Sequence, residues 1–321
     1  MTTLPASPCS SADIAALRSE HYNASVEVLV RHSDDLITLG VRPDQPFPPF
    51  EAGQYATLGL GGWEPRFHDS LPPSAEADCQ RLIRRPYSIT TPLVDEAGRL
   101  LRASDPPYLE FLIARAQRAG GTAAPPAALT PRLFALQAGA RLYLAPKAHG
   151  RYTLRGVRDD EQVVFAATGA GEAPHNAMLA ELLHRGHRGR IVSLVCVRRR
   201  GDLAYAKAHH RLAMDYPIYR FIGLTTREPE NIDPQHPHYV GKQYLQDYLE
   251  SGRLESDLGL ALNPANTQVF LCGNPAMIGG AQKRERANAP ETRPGMVELL
   301  EQRGFRLDLP SDPGNIHIEK W

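Results

Sequence analysis

The chain has 321 residues, long for a single domain and suited to two of ordinary size. Its 36 Lys and Arg balance 36 Asp and Glu, so no global field draws it onto nucleic acid or an anionic membrane surface. The four cysteines, Cys9, Cys79, Cys196 and Cys272, are too widely spaced for a zinc or iron–sulfur motif or a dense disulfide framework. That spacing predicts a reduced, cytoplasmic chain with no metal site.

The opening residues, MTTLPASPCSSADIAALRSE, lack a signal-peptide pattern, and nowhere do eighteen apolar residues run together. No membrane insertion is expected, and residues 1–21 read as a lead segment or a short helix.

From Tyr22 onward the chain gives short β-branched runs broken by Pro, Gly and Asp: ASVEVLV, LITLGV, QYATLGL, RLIRRPYSI, YLEFLIA and RLYLA. Such spacing predicts an antiparallel β domain, a barrel or a sandwich, over 22–156. Gly61 to Arg81 has no period and reads as a long loop, and the irregular linker Arg118 to Ala128 leads into LTPRLFAL. There Thr130 is placed to cap a short helix with Pro131 at its first position.

The pattern changes between Arg155 and Gln162. QVVFAAT, RIVSLVCV, YRFIGLT and TQVFLC are nearly continuous apolar runs, as expected of strands covered on both faces. Helical patterns lie between them, at His175 to Arg185, Asp202 to Ala213, Gly241 to Leu249 and Pro275 to Arg286. The alternation predicts a Rossmann-like parallel sheet over 157–321.

In this second half FAATGAGEAPHNAML carries a strand into Thr168-Gly169-Ala170-Gly171 and then a helix started by Pro174. Unpaired N–H groups and a positive dipole end collect there, suited to a dinucleotide pyrophosphate. The same glycines would also serve a tight strand-to-helix turn with no ligand. VFLCGNPAM repeats the plan with Cys272 and Gly273, and both turns would face the crevice beyond the strands' carboxyl ends. Arg198, Arg227 and Lys242 follow strands and could meet on a phosphate, or could belong to a solvated face. In the first half RRPYSI combines an arginine for a phosphate, an aromatic plane and a hydroxyl.

The order R-x-Y-S, T-G-x-G-x-x-P, C-G-x-P-x-M and a terminal Glu-x-aromatic resembles the ferredoxin–NADP reductase family, across nearly all of the chain after Tyr22. FEAGQYATLGL, TTREPEN and LGLALNP resemble its bacterial-type members. The resemblance implies an antiparallel Greek-key barrel binding FAD, followed by an NADP-binding domain. It implies that Arg85 and Thr130 hold the FAD diphosphate, that Tyr87 packs on the isoalloxazine, and that Ser88 lies near N5. Thr168, Gly169, Gly171, Pro174 and Gly273 would line the NADP path, with Arg198, Arg227 and Lys242 on the adenosine side.

Cys272 and Glu319 would stand with Ser88 beside the reacting atoms, and Trp321 would cover a flavin face. Hydride would pass between nicotinamide C4 and flavin N5, with ferredoxin or flavodoxin exchanging single electrons, and the protein would act as a monomer. Two alternatives are the reductase component of an oxygenase or another flavin-dependent NAD(P)H oxidoreductase, and a non-catalytic flavoprotein acting as a sensor or interaction protein. The chain departs from the family pattern at Glu172, a carboxylate in the glycine turn, at His175 after Pro174, and in the Gly61 to Arg81 insertion.

Overall fold

A computed structural model of the protein describes residues 10–67, 80–115, 128–259, 261–280 and 293–320. Trp321, most of the 61–81 insertion and most of the 118–128 linker fall outside these residues. The chain opens with helix α1 (Ser11–His21), started by a reciprocal capping box between Ser10 and Asp13. Arg18 of this helix grips Glu64 with two hydrogen bonds of 2.8 and 2.7 Å, and Glu64 also accepts from Tyr22 and Trp63. The lead segment is thus a helix docked on the first domain.

Strands β1 (Ala24–Ser33), β2 (Leu36–Pro43), β3 (Tyr55–Gly61), β4 (Leu82–Thr90), β5 (Leu109–Ala114) and β6 (Arg141–Leu144) close an antiparallel barrel in the order β1-β2-β5-β4-β3-β6. Alternate residues such as Ile37, Leu58, Ile89 and Phe111 fill its interior. The residues between them point outward. At Leu36 of β2, Leu112 of β5 and Leu93 just beyond β4 the outer face is also buried, because the second domain covers it: these three share one apolar cluster with Phe165, Met178 and Phe270.

The short helix α2 (Thr130–Leu133) follows the linker. Its N-cap is Leu129, with no side-chain cap, so the expected capping role of Thr130 is not realised. The Thr130 hydroxyl instead lies 3.3 Å from the Tyr87 hydroxyl.

The second domain runs β7 (Gln162–Thr168), α3 (Glu172–His184), β8 (Ile191–Val197), α4 (Ala206–Asp215), β9 (Tyr219–Thr225), α5 (Pro229–Ile232), α6 (Leu245–Glu250), α7 (Arg253–Leu258), β10 (Thr267–Gly273), α8 (Pro275–Ile278), α9 (Met296–Glu301) and β11 (Ile316–Lys320). Its strands form a parallel sheet in the order β11-β10-β7-β8-β9. Three helical forecasts are trimmed. Asp202 lies in a separate turn before α4, the Gly241 to Leu249 pattern becomes helical only from Leu245, and the Pro275 helix ends at Gly279 (φ +79°), the rest of that pattern, 281–286, lying outside the described residues. Among the described residues no helix is long and apolar enough to cross a membrane.

Candidate active site

The order in which strands join the parallel sheet reverses between β7 and β10, and both glycine turns follow the strands that flank this switch point. Their glycines divide into two kinds. A side chain on Gly171 would collide with the Cys272 carbonyl at 2.3 Å, and one on Gly273 (φ +124°) would meet the Thr168 hydroxyl at the same distance. These two glycines let the turns pack on each other, and the Asn274 N–H donates to Thr168 Oγ1 at 2.8 Å. Gly169 differs: it has φ +54° and nothing within 4 Å of a notional Cβ, so its open side faces the crevice. The helical start there has no side-chain cap. Pro174 is the third residue of α3 rather than its first, in the one turn where a missing N–H costs nothing.

Glu172 points away from that crevice. Its Oε1 lies 2.8 Å from His209 Nε2, and His209 Nδ1 lies 2.7 Å from the Tyr219 hydroxyl, all three side chains being buried. The His209 ring stacks on Phe221 at 4.4 Å between centroids. The carboxylate therefore ties α3 to α4 and stays clear of any anion at the glycine turn. His175 is likewise internal, stacked on Phe165 and hydrogen-bonded to the Tyr152 hydroxyl at 2.8 Å. Burial pushes its pKa down to about 3, which keeps the ring neutral.

The two domains meet beside these turns. Cys272 and Glu319 are partners in the β10–β11 ladder, and Ser88 of β4 donates to Glu319 Oε2 at 3.4 Å. Three residues from separate parts of the sequence are thus brought together. Burial raises the Glu319 carboxyl to about 7, against a smaller lowering by the Ser88 hydroxyl. Arg85 and Tyr87 stand on the opposite face of β4 from Ser88, as strand alternation requires. Arg85 is exposed and donates to the Arg84 carbonyl at 2.7 Å, with no carboxylate partner among the described residues.

At the next strand ends, Arg227 N–H donates to the Arg198 carbonyl at 2.8 Å. Buried Asn231 accepts from Thr225 Oγ1 and the Glu228 N–H and donates to the Gly241 carbonyl at 3.1 Å. It thereby folds the Lys242 segment against the Arg227 turn. Asn231 is a site-organising residue that the sequence reading missed, since one Asn inside ENID carries no signal of its distant partners. Arg198, Arg227 and Lys242 form no ion pairs among the described residues, whereas nearby Arg200 is paired with Glu230. These contacts bring the segments that carry Arg198, Arg227 and Lys242 close together.

Sequence reading also missed Glu110 and Tyr205, which meet at 2.8 Å across the domain boundary. Burial raises the Glu110 carboxyl to about 7, opposed by the Tyr205 hydrogen bond. Because the folded protein holds this proton more tightly than the unfolded chain, stability should fall as pH rises from the ordinary value of 4.5 through about 7. Glu110→Gln should flatten that decline by up to about 1.4 kcal/mol per pH unit. Urea midpoints at intervals from pH 5 to 8 measure the slope, and an identical slope in the variant would contradict it.

Comparison with known proteins agrees with this geometry. Residues 165–283 match the oxidoreductase NAD-binding domain family. A flavodoxin/ferredoxin–NADP reductase of Shigella flexneri is 28% identical over 251 residues, covering 78% of this chain and 84% of that protein. The reductase component of a phenol 2-monooxygenase from a Pseudomonas species is 24% identical over 82% of this chain and 60% of its own length. Among solved structures, a ferredoxin–NADP reductase from Neisseria gonorrhoeae with bound FAD and NADP superposes with a TM-score of 0.66 at 21% identity, covering 93% of this chain and 97% of that one. The chain is an oxidoreductase with the ferredoxin–NADP reductase fold, similar over most of its length to the flavodoxin/ferredoxin–NADP reductases.

Proposed function

We propose that the protein binds FAD on the barrel, residues 22–156, and NADP(H) on the parallel-sheet domain, residues 157–321, and moves electrons between NADP(H) and ferredoxin or flavodoxin. The observation that carries this reading is the meeting of Ser88 from the barrel with Glu319 and Cys272 from the sheet, at the mouth of the open glycine turn. A flavin there supplies the chemistry, accepting a hydride from nicotinamide and releasing electrons singly.

The chain's own residues fit both groups. Arg85, with no acidic partner among the described residues, is available to a diphosphate, and Thr130 at the start of α2 contacts the neighbouring Tyr87. Tyr87 offers a ring plane held by its hydroxyl contact with Thr130, and Ser88 a hydroxyl on the sheet-facing side. Trp321, two residues after Glu319 in the sequence, is the aromatic we assign to a flavin face. The open side of Gly169 and the uncapped start of α3, together with Thr168, Gly171, Pro174 and Gly273, suit the NADP pyrophosphate. Arg198, Arg227 and Lys242 suit its 2'-phosphate.

Glu319, with its carboxyl raised to about 7, can hold a proton near neutral pH and exchange it with the Ser88 hydroxyl. The buried Cys272 stands beside Glu319 in the β10–β11 ladder. We place the protein in the cytoplasm as a monomer.

A second reading, the reductase component of an oxygenase, draws on the similarity to the phenol 2-monooxygenase reductase. Turnover with NADPH and either ferredoxin or flavodoxin as acceptor separates the two. Fast reduction of one of these carriers is expected, and reduction only of an iron–sulfur oxygenase partner would favour the second reading.

A further inference from the structure

The candidate active site is shared between two domains, so its geometry depends on how they meet. Most of the boundary is apolar, with Leu36, Leu93 and Leu112 packed against the side of the sheet that carries α3 and α4. Hydrophobic packing is non-directional and by itself leaves an angle poorly specified. A buried hydrogen bond crosses this boundary, donated by the Tyr205 hydroxyl to Glu110 Oε1 at 2.8 Å. Such a bond is directional, and its loss leaves a desolvated carboxyl without its donor.

Each end is tied to one half of the site. Glu110 stands opposite Thr90 in the β4–β5 ladder, two residues from Ser88 on the same strand face. Tyr205 immediately precedes α4, which His209 pins to Glu172, the first residue of α3. The neighbouring Gly171 abuts the Cys272 carbonyl, and Cys272 is the ladder partner of Glu319. Short, regular elements therefore run from the Glu110–Tyr205 bond to Ser88 on one side and to Cys272 and Glu319 on the other. Thr38 of β2 is buried on the same outer face and hydrogen-bonds His32 at 2.8 Å, which closes the barrel side of the contact.

Building on the flavin–NADP(H) reading, we propose that Glu110 and Tyr205 are positioning residues that lock the barrel against the parallel sheet in the orientation that sets Ser88 beside Cys272 and Glu319. Neither residue touches the reacting groups. Their effect falls on the reduction step and spares cofactor binding.

The test uses the full-length protein as purified, with Tyr205→Phe, Glu110→Leu and Glu110→Gln. Flavin bleaching by saturating NADPH is followed in a single turnover, and amide hydrogen exchange is followed in β4 and the first turn of α3. Bleaching should slow about ten-fold in Tyr205→Phe and Glu110→Leu, because small displacements of a reacting geometry are costly. Flavin content and half-saturating NADPH should change less than about two-fold, and exchange should rise at both segments. Glu110→Gln, which keeps the shape and an acceptor oxygen, should restore most of the rate. The double variant should be no slower than the worse single one.

Unchanged bleaching in Tyr205→Phe, multiplying losses in the double variant, or a loss confined to half-saturating NADPH would overturn the proposal. Should the wild-type protein carry no flavin, the reading beneath this proposal fails on its own, and hydrogen exchange decides the lock. Raised exchange in Tyr205→Phe supports it, and unaltered exchange overturns it.

Discussion

Arg85→Ala should be recovered largely without flavin. The guanidinium stands exposed on β4 and donates to the carbonyl of its neighbour Arg84, with no carboxylate partner among the described residues, unlike Arg42, which is paired with Glu27, and Arg155, which is paired with Glu51. A cation left without a carboxylate can take a diphosphate in a two-pronged grip. Each charge-assisted hydrogen bond contributes roughly 1.5–3 kcal/mol, so losing two weakens binding by about 10²- to 10⁴-fold. Arg85→Lys should be intermediate, since an ammonium cannot bridge two oxygens with fixed geometry. The ratio of flavin to protein absorbance in the purified variants is the measurement. Full occupancy in Arg85→Ala would remove the phosphate role from that residue.

Arg227→Ala combined with Lys242→Ala should raise the half-saturating NADPH concentration by about 10²- to 10³-fold while changing NADH by only about two-fold. The sum assumes roughly 1.5–2 kcal/mol for each contact to a phosphate at the edge of the site. Asn231 makes the geometry plausible, because it holds the Gly241 carbonyl against the turn that carries Arg227. An equal loss for the two coenzymes would mean that these cations do not read the 2'-phosphate. Added salt should weaken NADPH in the wild type more than in the double variant.

Both domains and their order were legible in the sequence, for reasons that lie in particular segments. The barrel strands have an interior and an exterior face, as on β5 where Leu109, Phe111 and Ile113 alternate with Glu110 and Leu112, and the sheet strands are nearly continuous in apolar residues, as in IVSLVCV, because the sheet is covered on both sides. Glu110 escaped notice for the same reason. In YLEFLIA its place in the alternation marks an outward face, normally wet, and only the tertiary packing of the second domain buries it against Tyr205, 95 residues away.

The glycine turn was identified by its composition, yet composition could not separate the roles of its glycines. Gly171 is required by contact with Cys272, a residue far along the chain, and Gly169 is the one that opens toward the crevice. Glu172 seemed ill placed beside an anion because the sequence shows where a residue sits along the chain and not where its side chain goes. Its partner His209 lies 37 residues on. Thr130 reads as a helix cap by local grammar, but a non-local partner, the Tyr87 hydroxyl, takes its oxygen instead. Local signals marked the candidate site, and the pairings within it depended on long-range contacts.

The central claim is that one protein brings a flavin and NADP(H) together at the junction of Ser88, Cys272 and Glu319. Anaerobic titration of the purified protein with NADPH, followed by visible absorbance, tests it most directly. The account predicts a yellow protein carrying about one FAD per chain that bleaches promptly with NADPH and much more slowly with NADH. A colourless protein, or a yellow one that NADPH does not bleach, would contradict it.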